Sequence, residues 1–343
     1  MCWSLKRFVL AVGLLVVCPL CVCAAPKTKI RAVVPLAQES WLFQGLRRFK
    51  KTVEKSSNGD IEITLIPSSP LFEGHDIRSA VQSGSVEMGA VLLSEFGADI
   101  PATNIFAQPF MFFSEPMMKA AVASQSAVRS PIDQAILQSN NVRVLWWQSA
   151  GTTVVISKDE AVLTPSDFAG KKVVVSLPAL AEMVKLCGAT PVEESSGPEG
   201  GATTLAKADM SIVPIANVVD RKLWTVMNTL TVTRHIAQQF AVVINERVWG
   251  TLTDDQMRTV REAAAEAERY MYEDIRQDEL ENIELAAKNG MKVAEITATQ
   301  AALWKSCASP MLESFLQQSG VLGQKVMDGY RQILVDMYRQ PRK

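Results

Sequence analysis

The sequence predicts an α/β protein of two domains, on three observations. β-branched, strand-like runs alternate with helical segments along most of the chain, the pattern of βαβ units. The chain has 343 residues, more than the commonest single domain and a suitable length for two. One helical stripe, over 254–289, would be roughly 54 Å long if unbroken, longer than a domain of this size needs.

In chain order, Lys6 and Arg7, an apolar run over 8–17 and a small-residue end at 21–25 make a three-part secretory signal, with cleavage after Ala24. The run is too short for a permanent membrane span. Cys18, Cys21 and Cys23 raise a lipid-anchored start as the rival. The residues before them (Val17, Leu20, Val22) are larger than lipoprotein signals usually allow, so export by signal peptide to the periplasm is favoured. Of the cysteines only Cys187 and Cys307 remain in the mature chain, which leaves one bridge open.

Residues 29–35 read as a strand, Ser40 as the cap of an amphipathic helix, and 57–60 as a turn before the alternating strand 61–66. Segment 74–82 is helical and 85–91 leads into a strand. The aromatic cluster at 109–113 is core by its density. A helix over 130–137 and a strand over 142–147 follow. The central unit, 164–214, is a complete β-α-β: strand 172–176, helix 178–186 closed at Gly188, a second helix over 202–208 and strand 210–213. Residues 229–234 and 240–245 are strands by composition. Thr253 and Gln256 form a capping box at the head of the long helix, whose Ala-rich, irregular stripe suits a brace across two domains better than a coiled coil. Helices over 297–316 and 321–338 finish the chain.

The central unit carries a resemblance. Its frame T-P-x-D-F-x-G-x-K-V-x-V, with Asp167, Phe168, Gly170, Lys172, Val173 and Val175, and then Leu205, Asp209 and Pro214, resembles the solute-binding proteins of tripartite ATP-independent periplasmic (TRAP) transporters, the DctP-like family. That family usually reads "peDlkGlKiRvp" and later "ALqtGvvDGaeNP". Segments 57–67, 80–89, 109–113 and 151–157, and His235 after 229–234, match further family segments in the same order.

The resemblance implies a two-domain periplasmic binding protein-like fold with a hinge. Crossing strands fall near 151–158 and 238–245, and the long helix 254–289 bridges both domains. Domain I takes 25–151 plus 241–275, and domain II takes 152–240 plus 276–343, after a signal peptide at 1–24. A cleft between the domains would hold a small ligand and close by hinge bending. The implied partners are the TRAP membrane subunits, with a tetratricopeptide-repeat helper in some systems.

The ligand expectation rests on departures from the family. Its carboxylate-binding arginine falls on Val174, a second arginine on Thr153 and its site asparagine on Val213. A valine cannot neutralise a desolvated carboxylate, which is costly to bury unpaired. The expected ligand is therefore apolar and lipid-like, lined by Trp41, Phe72, Phe96, Thr153, Val174, Val213 and Phe240. Arg234 and Arg143 are the candidates to replace the lost arginine in an organic-acid receptor. A periplasmic docking scaffold without a small ligand is the remaining alternative.

Other classes find no support. The net charge of −1 gives no electrostatic case for nucleic acid. The histidines, His75 and His235, lie far apart and no Cys-x-x-Cys spacing falls outside the leader, so neither a metal site nor a cofactor is expected. No Gly-x-Ser-x-Gly, His-Glu-x-x-His or glycine-rich phosphate loop is present, and the turn 197–201 lacks a P-loop lysine, so the chain is not read as an enzyme. His235 is assigned a structural role.

Overall fold

The computed structural model describes residues 27–36, 38, 40–67, 74–112, 114–193 and 200–339; the leader and Phe72 lie outside them. The first domain opens with β1 (Thr28–Val34), α1 (Trp41–Ser56), β2 (Ile61–Pro67), α2 (Gly74–Ser83) and β3 (Met88–Leu92). Then come α3 (Glu115–Val122), α4 (Arg129–Asn140) and β4 (Val142–Ser149). The second contributes β5 (Thr153–Ser157), β6 (Lys172–Val175), α5 (Pro178–Leu186), β7 (Thr190–Glu193), α6 (Gly200–Ala206), β8 (Met210–Pro214), α7 (Ile215–Asp220) and β9 (Thr229–Val232). The chain returns through β10 (Gln239–Asn245) and α8 (Glu246–Trp249), and ends with α9 (Asp254–Lys288), β11 (Lys292–Glu295), α10 (Ala298–Cys307) and α11 (Ser309–Arg339).

Two sheets result. The first has the order β2-β1-β3-β10-β4 and the second β11-β9-β5-β8-β6-β7. Each contains one antiparallel strand, and it is the strand that arrives from the other domain. β10 runs against β3 and β4, and β5 runs against β8 and β9. Because β4 exits into β5 and β9 exits into β10, the carboxyl ends of β1, β3 and β4 face the second domain. Those of β6, β8 and β9 face the first. The two crossings pair with each other: Ala150 donates its N–H to the Gln238 carbonyl at 2.8 Å, and Arg234 donates to the Thr153 carbonyl at 3.2 Å. The expected crossing strands are these.

Side-chain alternation gives each sheet two packed faces. On the first sheet, Val33, Val91 and Val243 face one core, and Val34, Ala90 and Val242 face the other. On the second, Val155, Val173 and Ile212 oppose Val154, Val174 and Val213.

The long helix is continuous. Thr253 Oγ1 accepts the Gln256 N–H at 3.2 Å, and Gln256 Oε1 accepts the Thr253 N–H at 3.0 Å, closing the capping box. Val260, Ala264 and Ala267 pack in the first domain's core and Ala286 in the second's, so α9 is the brace its length implied. Gly45 of α1 lets the two helices approach: a Cβ there would lie 2.7 Å from Met271 Sδ. Deeper in, Arg129 is buried, donates to Asp133 Oδ2 at 2.9 Å and pairs with Glu268 of α9. Burial pushes the Asp133 carboxyl up to about 6 against the pull of Arg129.

One expected boundary needs correction. The expectation places residues 276–343 in domain II, but Phe315, Val326, Met327 and Tyr330 of α11 pack into the first domain's core. The stripe on α11 is apolar enough for either domain, and only the tertiary packing decides. The break expected between the last two helices is a kink at Gly320 inside α11, and a further break falls at Ala308. Cys187 and Cys307 are disulfide-bonded, tying the end of α5 to the end of α10 with Cα atoms 5.9 Å apart. In the aromatic cluster, Phe112 belongs to the first domain's core, whereas Phe110 belongs to the second's and donates its N–H to the His235 carbonyl at 2.7 Å.

Candidate functional site

In open α/β sheets a ligand site forms outside the carboxyl ends of the strands. Here two such sets of ends face each other, and the space between them contains three described cavities. The first, about 180 Å³, lies between the residues that follow β1 (Ser40, Trp41) and those that follow β8 (Ile215, Ala216), with Asp220 and α9 as walls. The second, about 380 Å³, lies between the residues that follow β3 (Ser94, Gly97) and those that follow β6 (Leu177, Ala179), closed by Gln108 and α11. The third, about 420 Å³, lies beside the crossing strands between the ends of β4 and β9, with Ser149, Arg234, Tyr272 and Arg276 among its walls.

The strand ends are apolar. Leu36, Trp41 and Leu92 on one side and Leu177 on the other are partly exposed hydrophobics resting on their domain cores. Trp41 meets Phe240 edge-on, ring centroids 5.9 Å apart. Of these, Leu177 lines the second cavity and is not among the expected lining residues, and Leu36 and Leu92 line no described cavity. The signal for Leu177 was present in the βαβ pattern, since it sits within two residues of a parallel strand's end.

Charge in the two central cavities has one sign. The first is lined by Asp220, Asp278, Glu279 and Glu281, and the second by Glu182; among the described residues neither is lined by lysine, arginine or histidine. Burial raises the Glu279 carboxyl above the usual range, while the Thr152 hydroxyl and N–H and the Arg234 charge pull it back. Burial likewise raises Asp220. Gly151 occupies the left-handed region beside Glu279, with φ of +83° and its would-be Cβ 3.8 Å from the carboxylate, so the hinge here favours glycine.

Of the expected lining residues, Trp41 lines the first cavity, and Phe240 stands against it in β10, 8% exposed. Phe72 lies outside the described residues. Thr153 is buried at the crossing; its hydroxyl donates to the Ile236 carbonyl and accepts the Ile236 N–H, both at 3.3 Å, so its polar capacity is used within the hinge. Phe96 is a correction: it is fully buried in the first domain's core under Arg78. Val174 and Val213 are corrections of the same kind. Strand alternation turns both into the core shared with Leu205 and Leu230, and neither lines a described cavity.

The replacement arginines are also accounted for. Arg143 lies at the amino end of β4, away from the cleft, and is held by Glu246 at 2.5 Å. Arg234 lines the third cavity and pairs with Glu295. His235 is buried; Thr233 holds its Nδ1, and burial lowers its pKa to about 3, so it is neutral and structural. No cluster able to hold a metal occurs among the described residues, and no described helix is long and apolar enough to cross a membrane.

This architecture is found in known proteins. The family model described as "Bacterial extracellular solute-binding protein, family 7" matches residues 33–319. The chain is 25% identical over 287 residues to the ectoine-binding periplasmic protein TeaA of Halomonas elongata, covering 82% of this chain and 83% of that one. It is 24% identical to the C4-dicarboxylate-binding periplasmic protein DctP of Rhodobacter capsulatus, covering 81% and 83%. A TRAP solute-binding protein from Ochrobactrum anthropi superposes with a TM-score of 0.83 at 21% identity, covering 92% of this chain and 99% of that one. A Bordetella pertussis extracytoplasmic solute receptor binding pyroglutamic acid gives 0.79 at 22%, covering 89% and 99%. Members of this family are receptors rather than enzymes, and the relatives named are periplasmic. The chain belongs to the bacterial extracellular solute-binding protein family 7 and is an extracytoplasmic solute receptor of the TRAP type.

Proposed function

We propose that this receptor takes an uncharged, largely apolar ligand between the two sets of strand ends, rather than an organic acid. One observation carries the reading: among the described residues no basic side chain lines either central cavity, while carboxylates line both. An anionic ligand there would be desolvated beside like charge, with no guanidinium to pair with it. The partly exposed Trp41 and Leu177, which line the two central cavities, support the same reading, because burying them under a ligand is favourable at about 25 cal/mol per Å².

The protein reaches the periplasm by its signal peptide and delivers the ligand to TRAP membrane subunits; a tetratricopeptide-repeat helper is a further partner on this reading. Relatives that bind dicarboxylate or pyroglutamate supply the natural contrast ligands. Isothermal titration of the mature protein with succinate, pyroglutamate and a neutral lauryl ester tests the proposal. Binding of the ester, with the two acids at least about 100-fold weaker, is expected from the several kcal/mol that an unpaired buried charge costs. Tight binding of either acid with no response to the ester would overturn it.

A further inference from the structure

Two walls of the second cavity are helix ends, and the disulfide joins the elements that carry them. One wall is the start of α5, with Leu177 and Glu182, and the other is the start of α11, with Met311 and Phe315. α5 ends at Leu186 and α10 at Cys307, one residue before the elbow that leads into α11. The Cys187–Cys307 bridge, with Cα atoms 5.9 Å apart, therefore ties the far end of the first wall to the foot of the second.

That foot is a crossing between domains. Ala308 breaks the helical course with φ of −87° and ψ of 3°. Met311 then packs in the second domain's core, and Phe315, one turn later, packs in the first's. α10 is anchored on the side away from α11: Trp304 Nε1 donates to the Leu163 carbonyl at 3.0 Å, and its ring meets Phe168 edge-on with centroids 4.8 Å apart. These contacts fix α10 to the second domain and leave its spacing from α5 to side-chain packing and the bridge. A covalent tie across 120 residues removes relative freedom that packing alone leaves. Cys187 is 6% exposed and Cys307 is partly exposed, so a reductant meets Cys307 first.

We infer that the Cys187–Cys307 bridge is a redox-responsive clamp on the second cavity. Oxidised, it holds the α5 wall at a fixed spacing from the elbow where α11 crosses to the first domain. Reduction frees the elbow, and the cavity loosens at α5 and at the start of α11. The reductant is a dithiol. One of its thiolates attacks the Cys307 sulfur, and Cys187 leaves as a thiolate and takes up a proton. The second thiolate then displaces Cys307, so one S–S bond breaks in the protein and one forms in the dithiol. The inference does not depend on which ligand the cleft takes.

The test follows amide hydrogen exchange of the full mature protein by mass spectrometry, oxidised and after dithiothreitol, beside a Cys187→Ala, Cys307→Ala variant without reductant. In the reduced protein and the variant alike, exchange over 181–184 and 312–318 should quicken about tenfold, while β1, β2 and β3 stay within about twofold. Dithiothreitol should leave the variant unchanged. Faster exchange confined to 185–189 and 304–309 would mark a local staple and overturn the clamp, as would no change at all. Faster exchange across β1, β2 and β3 as well would overturn it in favour of a general stabilising role. If the variant loosens but dithiothreitol adds no hydrogens to the folded wild type, the redox response is overturned.

Discussion

The cavity beside the crossing strands and the two central cavities differ in their arginines. The first contains Arg234 and Arg276, but Arg234 is taken by Glu295, and Glu115 sits 3.4 Å from Arg276. The central pair contain none among the described residues. Behind the cleft, Arg129 is held between Asp133 and Glu268. Among the described residues, guanidinium groups thus line the cavity beside the crossing strands and not the two central ones. Among the described residues, the lack of a basic side chain in the two central cavities does not depend on how one position aligns with relatives.

The largest effect that would sharpen this contrast is on the structural arginine. Arg129→Ala empties a buried site and leaves two partly buried carboxylates without their partner, and is expected to cost about 3 kcal/mol, measured by urea unfolding. A cost under 1 kcal/mol would mean that the network is not what holds α9 to the first domain.

Placing a charge inside the lining comes next. Leu177→Arg should weaken retention of a neutral lauryl ester by about 100-fold and bring pyroglutamate binding into a measurable range, as titration would report. An unchanged ester affinity would place the ligand elsewhere.

The third concerns His235, which could become cationic at the cleft end of β9. Its folded-state pKa is depressed from 6.5 to about 3 by burial. Its stabilising contribution is therefore complete above about pH 6.5 and is lost as pH falls toward about 3, at up to about 1.4 kcal/mol per pH unit. His235→Gln should remove that slope from the difference between paired urea melts at pH 7, 5.5 and 4.5. Parallel pH profiles for the two proteins would contradict burial as the cause.

The smallest effect is at the margin. Glu295→Gln frees Arg234, but the pair is half exposed, so stability should change by under about 1 kcal/mol and pyroglutamate binding by under about twofold. A large gain in acid binding would show that the margin, and not the central pair, is the anion site.

Much of this was legible in the residues. The capping box at Thr253 and Gln256 and the apolar stripe gave the bridging helix, because local hydrogen bonding and periodicity decide it. The β-branched runs gave the strands. The side of each strand was not legible: Val174 and Val213 read as cleft residues but face the core, since a period of two fixes alternation and not which face meets the other domain. Phe96 was misplaced for a related reason, because an aromatic near a strand end suits a core and a pocket equally. The placement of α11 with the first domain arises from contacts distant in sequence, which no local pattern encodes.

The most direct test is to denature the purified mature protein in organic solvent and identify what is released by mass spectrometry. A stoichiometric, uncharged, largely apolar compound is the predicted result. A stoichiometric dicarboxylate, pyroglutamate or sugar acid would contradict the account of the cleft.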